Sequence, residues 1–225
     1  RCLFENILFN DVFLTRNFGL NLNLIQISCT KENLLLCRIS NFKIQNVDMS
    51  LHIQDTASPL VVEGLIFKQY VENLQTGRPV LVTNFKNLTI LNSLFESLSS
   101  LGALHFQGSN NNIGSVLNLK NISVKNCYTK ESGAALNIQG AIDSTIVDSL
   151  FLENRANFRA GALYLRRAEN VLEGLLKIEN CTFNGNNAGI GQSAISLITK
   201  NQQILDSYNN ILEKNFFNAT SIKYG

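Results

Sequence analysis

The segment Ala160-Gly-Ala-Leu-Tyr-Leu165 decides how this chain is read, because close copies recur at Leu101-Gly-Ala-Leu-His-Phe-Gln107 and Ser132-Gly-Ala-Ala-Leu-Asn-Ile-Gln139. Weaker copies are Ser50-Leu-His-Ile53, Ser193-Ala-Ile-Ser-Leu197 and Ser221-Ile-Lys-Tyr224. In each, apolar residues flank a polar one, the period-two mark of a strand with one buried face. Aligned, the copies give a buried column of Leu51, Leu81, Leu104, Leu136, Leu163, Ile195 and Ile222, in steps of 23 to 32 residues.

A second column keeps the same period. Asn10, Asn41, Asn92, Asn121, Asp148 and Asn180 are each followed three residues later by a large apolar side chain: Phe13, Ile44, Phe95, Val124, Phe151 and Phe183. Further Asn residues often follow, at Asn126, Asn154 and Asn186. The stretch around residues 61–84 fits poorly, and there Glu63 and Ile66 take the expected places. Strand parity breaks at the Asn/Asp position, since Ile178 and Asn180 share one parity while Cys181 and Phe183 share the other. Asn and Asp enter the left-handed region with little strain, so this position predicts a sharp bend between a second and a third strand.

A repeat of this length cannot bury its apolar side alone, but stacked copies can pair backbones in parallel and stack like side chains into one core. The expectation is an all-β, right-handed parallel β-helix of about eight coils, 23–32 residues each, forming a single domain over residues 1–225. A helix over Ile204 to Phe217 is the competing local reading, but β-branched residues, Phe and Asn disfavour helix interiors. A β-sandwich needs hairpin turns, and Asn184-Gly185 is the one Asn-Gly step.

Composition bounds the function classes. Hydrophobic residues are 45% and charged ones 16%, enough apolar material for a sizeable core. A net charge of +2 lacks the dense basic face of a nucleic-acid binder. No apolar run reaches the roughly 18 residues of a membrane span. Asn occurs 31 times; an AT-rich genome and a demand from sharp bends are compatible explanations, and its placement decides whether the second applies. The opening Arg1-Cys2-Leu3-Phe4 reads as a mature chain or a segment of a longer protein.

Gly-Ala-Leu combined with Phe-x-x-Asn, as in Ala160-Gly-Ala-Leu163 and Phe151-Leu-Glu-Asn154, resembles the repeat of polymorphic membrane protein adhesins. More broadly it is similar to the pectin-lyase-like β-helix superfamily, over residues 85–200 above all. That architecture serves adhesins, tailspikes and polysaccharide-cleaving enzymes alike. The resemblance implies that an enzyme would carry carboxylates and basic groups on the outer face of the first strand. Here that face reads His52, Val82, His105, Asn137, Tyr164, Ser196 and Lys223, without a carboxylate. Asp143 and Asp148 are five residues apart, but Asp148 falls in the bend column, and glycosidic hydrolysis needs a carboxyl pair at controlled separation. No nucleophile, zinc or phosphate-loop motif is present.

The expected function is therefore a non-enzymatic extracellular or cell-surface module, structural or adhesive, in a surface or fibre-forming assembly. The alternative is a polysaccharide lyase or glycoside hydrolase of the same fold. No metal or cofactor is expected. Carbohydrate is a candidate partner through His105, Asn137, Tyr164 and Arg166, with Arg155, Arg159 and Arg167 adding a basic cluster. End-to-end self-association through exposed strand edges is the other candidate. Five cysteines leave an odd thiol. Cys29 and Cys37 bracket a short loop and are the candidate disulfide, while Cys2 and Cys29 lie about one coil apart and are a second option. Cys181 should face the core beside Phe183, and Cys127 has no evident mate. Sequons stand at Asn87, Asn121, Asn180 and Asn218, and packing at the bend should favour glycans at Asn87 and Asn218.

Overall fold

Alternating residues with β-branched and aromatic side chains favour a pleated, half-buried strand, and in a computed structural model of the protein such strands stack in parallel from one coil to the next. The structure describes residues 2–5, 8–10, 24–28, 37–45, 50–56, 59–69, 79–99, 101–108, 114–167, 175–191, 194–199, 204–208, 211–213 and 220–224. No helix occurs among them. The chain is an all-β parallel solenoid.

An eight-stranded sheet runs in chain order through Leu24–Ser28, Ser50–Thr56, Val80–Phe85, Leu104–Gln107, Leu136–Gln139, Leu163–Arg166, Ile195–Thr199 and Thr220–Tyr224. A 14-stranded sheet forms the other walls. One of its runs stacks Cys37–Ser40, Leu60–Glu63, the first half of Asn87–Glu96, the first half of Ser115–Lys125, Ile142–Val147 and Leu175–Glu179. Its second run stacks Lys43–Gln45, Ile66–Lys68, the two second halves, Leu150–Leu152 and Thr182–Asn184. A three-stranded sheet, Tyr128–Thr129, Arg155–Ala156 and Asn187–Ala188, closes one corner. The segment read as a competing helix instead contains strands Ile204–Tyr208 and Ile211–Glu213.

The bend column is present in the backbone. Asn41, Asn92, Asn121, Asp148 and Asn180 all have φ between 49° and 53°. Gly64, at φ +68°, completes the row, and not Glu63. Phe67, and not Ile66, accordingly stacks on Ile44 and Phe95. The run Leu65-Ile66-Phe67 is apolar at both parities, so alternation could not set its phase. Nor is Asn10 a bend residue, because Phe9 pairs with Ile44 and Asn10 with Gln45; Phe13 lies outside the described residues.

Side chains continue the bend row outward and inward. Outside, the Asn121 amide donates to Asn92 Oδ1 at 2.8 Å, Asn92 donates to Glu63 at 3.1 Å, and Asn180 donates to Asp148 at 2.6 Å. Arg38 also pairs with Glu63, and those two partners hold the Glu63 carboxyl below its usual range. Inside, the residue after the bend points to the core. Ser93 donates to the Leu91 carbonyl (2.7 Å), Ser149 to Val147 (2.8 Å), and the Cys181 thiol to Glu179 (3.2 Å). Cys181 is thus a buried thiol in a serine-like role, as its expected inward placement requires.

A second left-handed row, Ser97, Asn126, Glu153 and Gly185, turns the chain out of the 14-stranded sheet. The next residues face inward. Asn154 and Asn186 there are fully buried, and so is Cys127 in the same row. Asn154 Oδ1 accepts from the Cys127 amide (3.1 Å), and its Nδ2 donates to the Val124 carbonyl and to Asn186 Oδ1 (both 3.0 Å). Asn186 repeats this toward the Asn154 amide (3.2 Å) and the Phe151 carbonyl (3.0 Å). Each buried amide therefore satisfies a backbone N–H and a C=O that the turn directs inward.

The core lies between these walls. Phe42, Phe67 and Phe95 stack in file with centroids 6.4 and 6.0 Å apart, and Phe151 stacks on Phe183 at 4.8 Å. The Gly of the Gly-Ala repeat has a steric reason at Gly161, where a Cβ would come within 2.2 Å of the Asn154 carbonyl oxygen.

Candidate ligand-contact face

The outward row of the eight-stranded sheet is where a ligand-binding or catalytic face was expected. Leu51 pairs with Val80 and Val80 with Leu104, so the inward column uses Val80, and Leu81 stands outward between His52 and His105. Val82, expected outward, is fully buried. Val80-Leu81-Val82 is apolar throughout, and nothing in its composition marks the inner face. At the far end Thr220 pairs with Ile195 and Ile222 with Leu197. That two-residue shift preserves parity but moves Lys223 beside Ile198.

The row His105, Asn137, Tyr164, Ser196 is paired as expected, but it is not an open shelf. Exposures are 3% for His105, 4% for Asn137, 8% for Tyr164 and 1% for Ser196. Part of the cover is local. The turn at Ser132-Gly133 folds back so that the Asn137 amide donates to the Ser132 carbonyl at 2.9 Å. Gly133, at φ +73°, lies so close that a Cβ there would come within 2.8 Å of the Tyr164 Cβ.

Two residues further on, the sheet does have an open polar row: Gln54, Thr83, Gln107, Gln139 and Arg166, continued by Ile198. Gln107 and Arg166 are exposed and the others half-buried. Thr83 also meets His52 Nε2 at 3.1 Å, and Gln139 donates to Asn137 Oδ1 at 3.0 Å. Of the four residues named for glycan contact, Arg166 alone belongs to this row. Its signal was present in the recurrence of Leu-His-Ile-Gln54, Leu-His-Phe-Gln107 and Leu-Asn-Ile-Gln139.

The basic cluster divides. Arg155 is exposed in the three-stranded sheet and Arg166 in the eight-stranded one, with Arg159 half-buried. Arg167 turns inward, its side chain 3% exposed, and donates to the carbonyls of Ile142 (3.0 Å) and Leu175 (3.4 Å). Burial lowers its pKa, opposed by Asp143 at 3.6 Å. Asp143 also accepts the Leu175 amide at 2.9 Å, while Asp148 occupies the bend and accepts Asn180. Both carboxylates thus hold neighbouring coils together. Among the described residues no group of His, Cys, Asp and Glu could hold a metal ion, and no helix is long and apolar enough to cross a membrane.

Asn121 and Asn180 are exposed, so a glycan there would meet the outer amide ladder and not the core. Asn87 is half-buried at the start of its strand, and Asn218 lies outside the described residues. Cys29 also lies outside them, whereas Cys37 is the backbone partner of Cys2. Comparison with protein-family models, curated proteins and solved structures finds no match. The chain is placed by its architecture alone, as a parallel β-solenoid.

Proposed function

We propose that this solenoid is a non-enzymatic structural or adhesive module of an extracellular surface or fibre-forming assembly. The supporting observation is the fate of the row that would carry catalysis in the pectin-lyase-like proteins its repeats resemble. In this chain the row is buried from His105 to Ser196 and half-buried at His52 and Leu81, and its described members include no carboxylate. Asp143 and Asp148 are engaged in joining coils. In the adhesive version, the half-open Gln54-to-Arg166 row contacts an extended sugar chain, since its side chains repeat at roughly the 4.8 Å strand spacing. In the fibrous version, strand edges at the solenoid ends pair with further copies.

Electron microscopy of the native material is the first test, with ordered filaments expected for the fibrous version. A glycan array probed with wild type and with Gln139→Ala/Arg166→Ala tests the adhesive version, which expects glycan binding that the double variant loses. Release of unsaturated or reducing sugar from a polysaccharide panel, abolished by substituting a surface carboxylate, would reject the non-enzymatic reading in favour of a lyase or hydrolase.

A further inference from the structure

We propose that the corner carrying Phe158 and Ile190 docks the solenoid onto an anionic lipid surface. Four large apolar side chains are exposed among the described residues, and these two are the most open, at 53% and 61%. The other two, Val116 and Leu175, lie on the 14-stranded sheet. Phe158 donates its N–H to the Glu131 carbonyl (3.2 Å), and its own carbonyl accepts the Ile190 N–H (2.8 Å), so Phe158 and Ile190 are neighbours on adjacent coils. A single exposed apolar residue is ordinary on a protein surface, whereas adjoining ones rimmed by charge mark an interaction site.

The corner is the turn that leaves the three-stranded sheet. Ala156 and Ala188 face the core, and Phe158 and Ile190 follow two residues later. Two bonds between coils brace the turn: Tyr128 Oη donates to Asn157 Oδ1 at 3.1 Å, and the Arg159 N–H donates to Ser132 Oγ at 3.2 Å. The Arg159 stem reaches the coil of Ile190, where a Cβ on Gly191 would lie 3.5 Å from its Cγ. The apolar pair therefore stands on a fixed backbone, with an arginine stem beside it.

Charge selects the partner. The corner holds Lys130, Arg155 and Arg159 against Glu131 and Glu153, and residues 187–191 carry no charge. Arg155 and Arg159 enter no ion pair among the described residues. The main chain is already spent, since the N–H groups of Asn157, Phe158, Gly189 and Ile190 and the Phe158 carbonyl are bonded to neighbouring coils. An extended peptide thus finds no strand here to lengthen, and an acidic polysaccharide would engage the arginines without needing Ile190. A lipid surface uses both features: apolar side chains enter the boundary between headgroups and acyl chains, while Arg and Lys lay their stems along it and meet phosphate. This corner is separate from the Gln54-to-Arg166 row, and the proposal stands apart from the adhesive and fibrous readings.

Flotation of the full chain with vesicles of phosphatidylcholine, alone or mixed with phosphatidylglycerol, tests it. Stronger partition onto the mixed vesicles is expected; partition no greater than onto phosphatidylcholine overturns the proposal. Phe158→Ser/Ile190→Ser should lower the partition coefficient roughly tenfold or more, because two half-exposed apolar side chains then stay in water. Arg155→Gln/Arg159→Gln should lower it by a similar factor on mixed vesicles alone, each cation near an anionic surface being worth about fivefold. Glu131→Gln, which removes an acid from the rim, should raise it about fivefold, a gain that misfolding cannot produce. Val116→Ser should change nothing. Either double variant binding like wild type, no gain from Glu131→Gln, or an equal loss from Val116→Ser overturns the proposal. Capture on immobilised polygalacturonate that survives Phe158→Ser/Ile190→Ser, without vesicle flotation, would assign the corner to an acidic polysaccharide instead.

Discussion

Replacing Asn154 tests whether the buried amide row holds the solenoid together. In Asn154→Ala the Cys127 N–H and the Val124 carbonyl both lose their side-chain partner in a site with no water access. Asn186 Oδ1 keeps the Asn154 backbone amide, so it is not orphaned. Each abandoned buried group costs about 1–3 kcal/mol, and two of them predict a loss of roughly 2–6 kcal/mol. Urea unfolding followed by circular dichroism would read this as a lower midpoint at similar slope.

Asn154→Asp makes the same point through pH. Its carboxylate would still accept from Cys127 but would turn an oxygen toward two acceptors, Val124 O and Asn186 Oδ1. Burial and those acceptors raise its folded-state pKa above the unfolded value of about 3.9. The folded state then binds the extra proton between the two values, so stability relative to wild type falls as pH rises through that window and recovers on acidification. If Asn154→Ala cost less than about 0.5 kcal/mol, within the range of ordinary surface substitutions, the row would be a passive filler. An aspartate variant as stable relative to wild type at pH 7 as at pH 4 would refute the acceptor geometry.

Phe151→Ala removes a fully buried ring stacked on Phe183 and should cost about 3–5 kcal/mol in the same assay. Gly64→Ala puts a Cβ at φ +68° and 3.0 Å from Asn41 Oδ1, a loss of about 1–2 kcal/mol. Asn121→Gly, which keeps the left-handed bend and gives up only an exposed amide contact, should by contrast stay within about 0.5 kcal/mol of wild type. Burial pushes the thiol pKa up to about 12 at Cys127 and about 11 at Cys181. At pH 8 neither should react with Ellman's reagent until the chain unfolds; native labelling of peptides 126–130 or 178–200 would contradict their inward placement.

What the sequence made legible follows from where its chemistry is one-sided. Leu-His-Phe, Leu-Asn-Ile and Leu-Tyr-Leu alternate, so their inner residues Leu104, Leu136 and Leu163 stack as read. Val80-Leu81-Val82 and Leu65-Ile66-Phe67 do not alternate, and there the register slipped by one residue. The first bend was visible because five of its six described positions use Asn or Asp. The second was not, because Ser97, Asn126, Glu153 and Gly185 share a backbone conformation and no side-chain chemistry. Closure of the His105-to-Ser196 row was beyond local pattern, since it involves a turn that folds back over its own strand at Ser132-Gly133.

The abundance of Asn also finds a positional explanation. A compositional bias alone would scatter Asn without regard to backbone state. Instead Asn41, Asn92, Asn121 and Asn180 sit at φ values within a few degrees of one another, where most side chains are strained. Asn154 and Asn186 lie six residues after Asp148 and Asn180 and make matching pairs of bonds to the coil before. The two rows use different properties of one residue, tolerance of a left-handed backbone outside and a donor–acceptor amide inside. In three of the six described coils serine or cysteine serves the intervening inward position, giving a single donor to the carbonyl two residues back, while Phe42, Leu65 and Ile122 fill it in the others. A genome-wide bias can supply asparagine, but it cannot select these rows; stacking identical turns does, because a turn solved in one coil presents the next with the same unsatisfied groups.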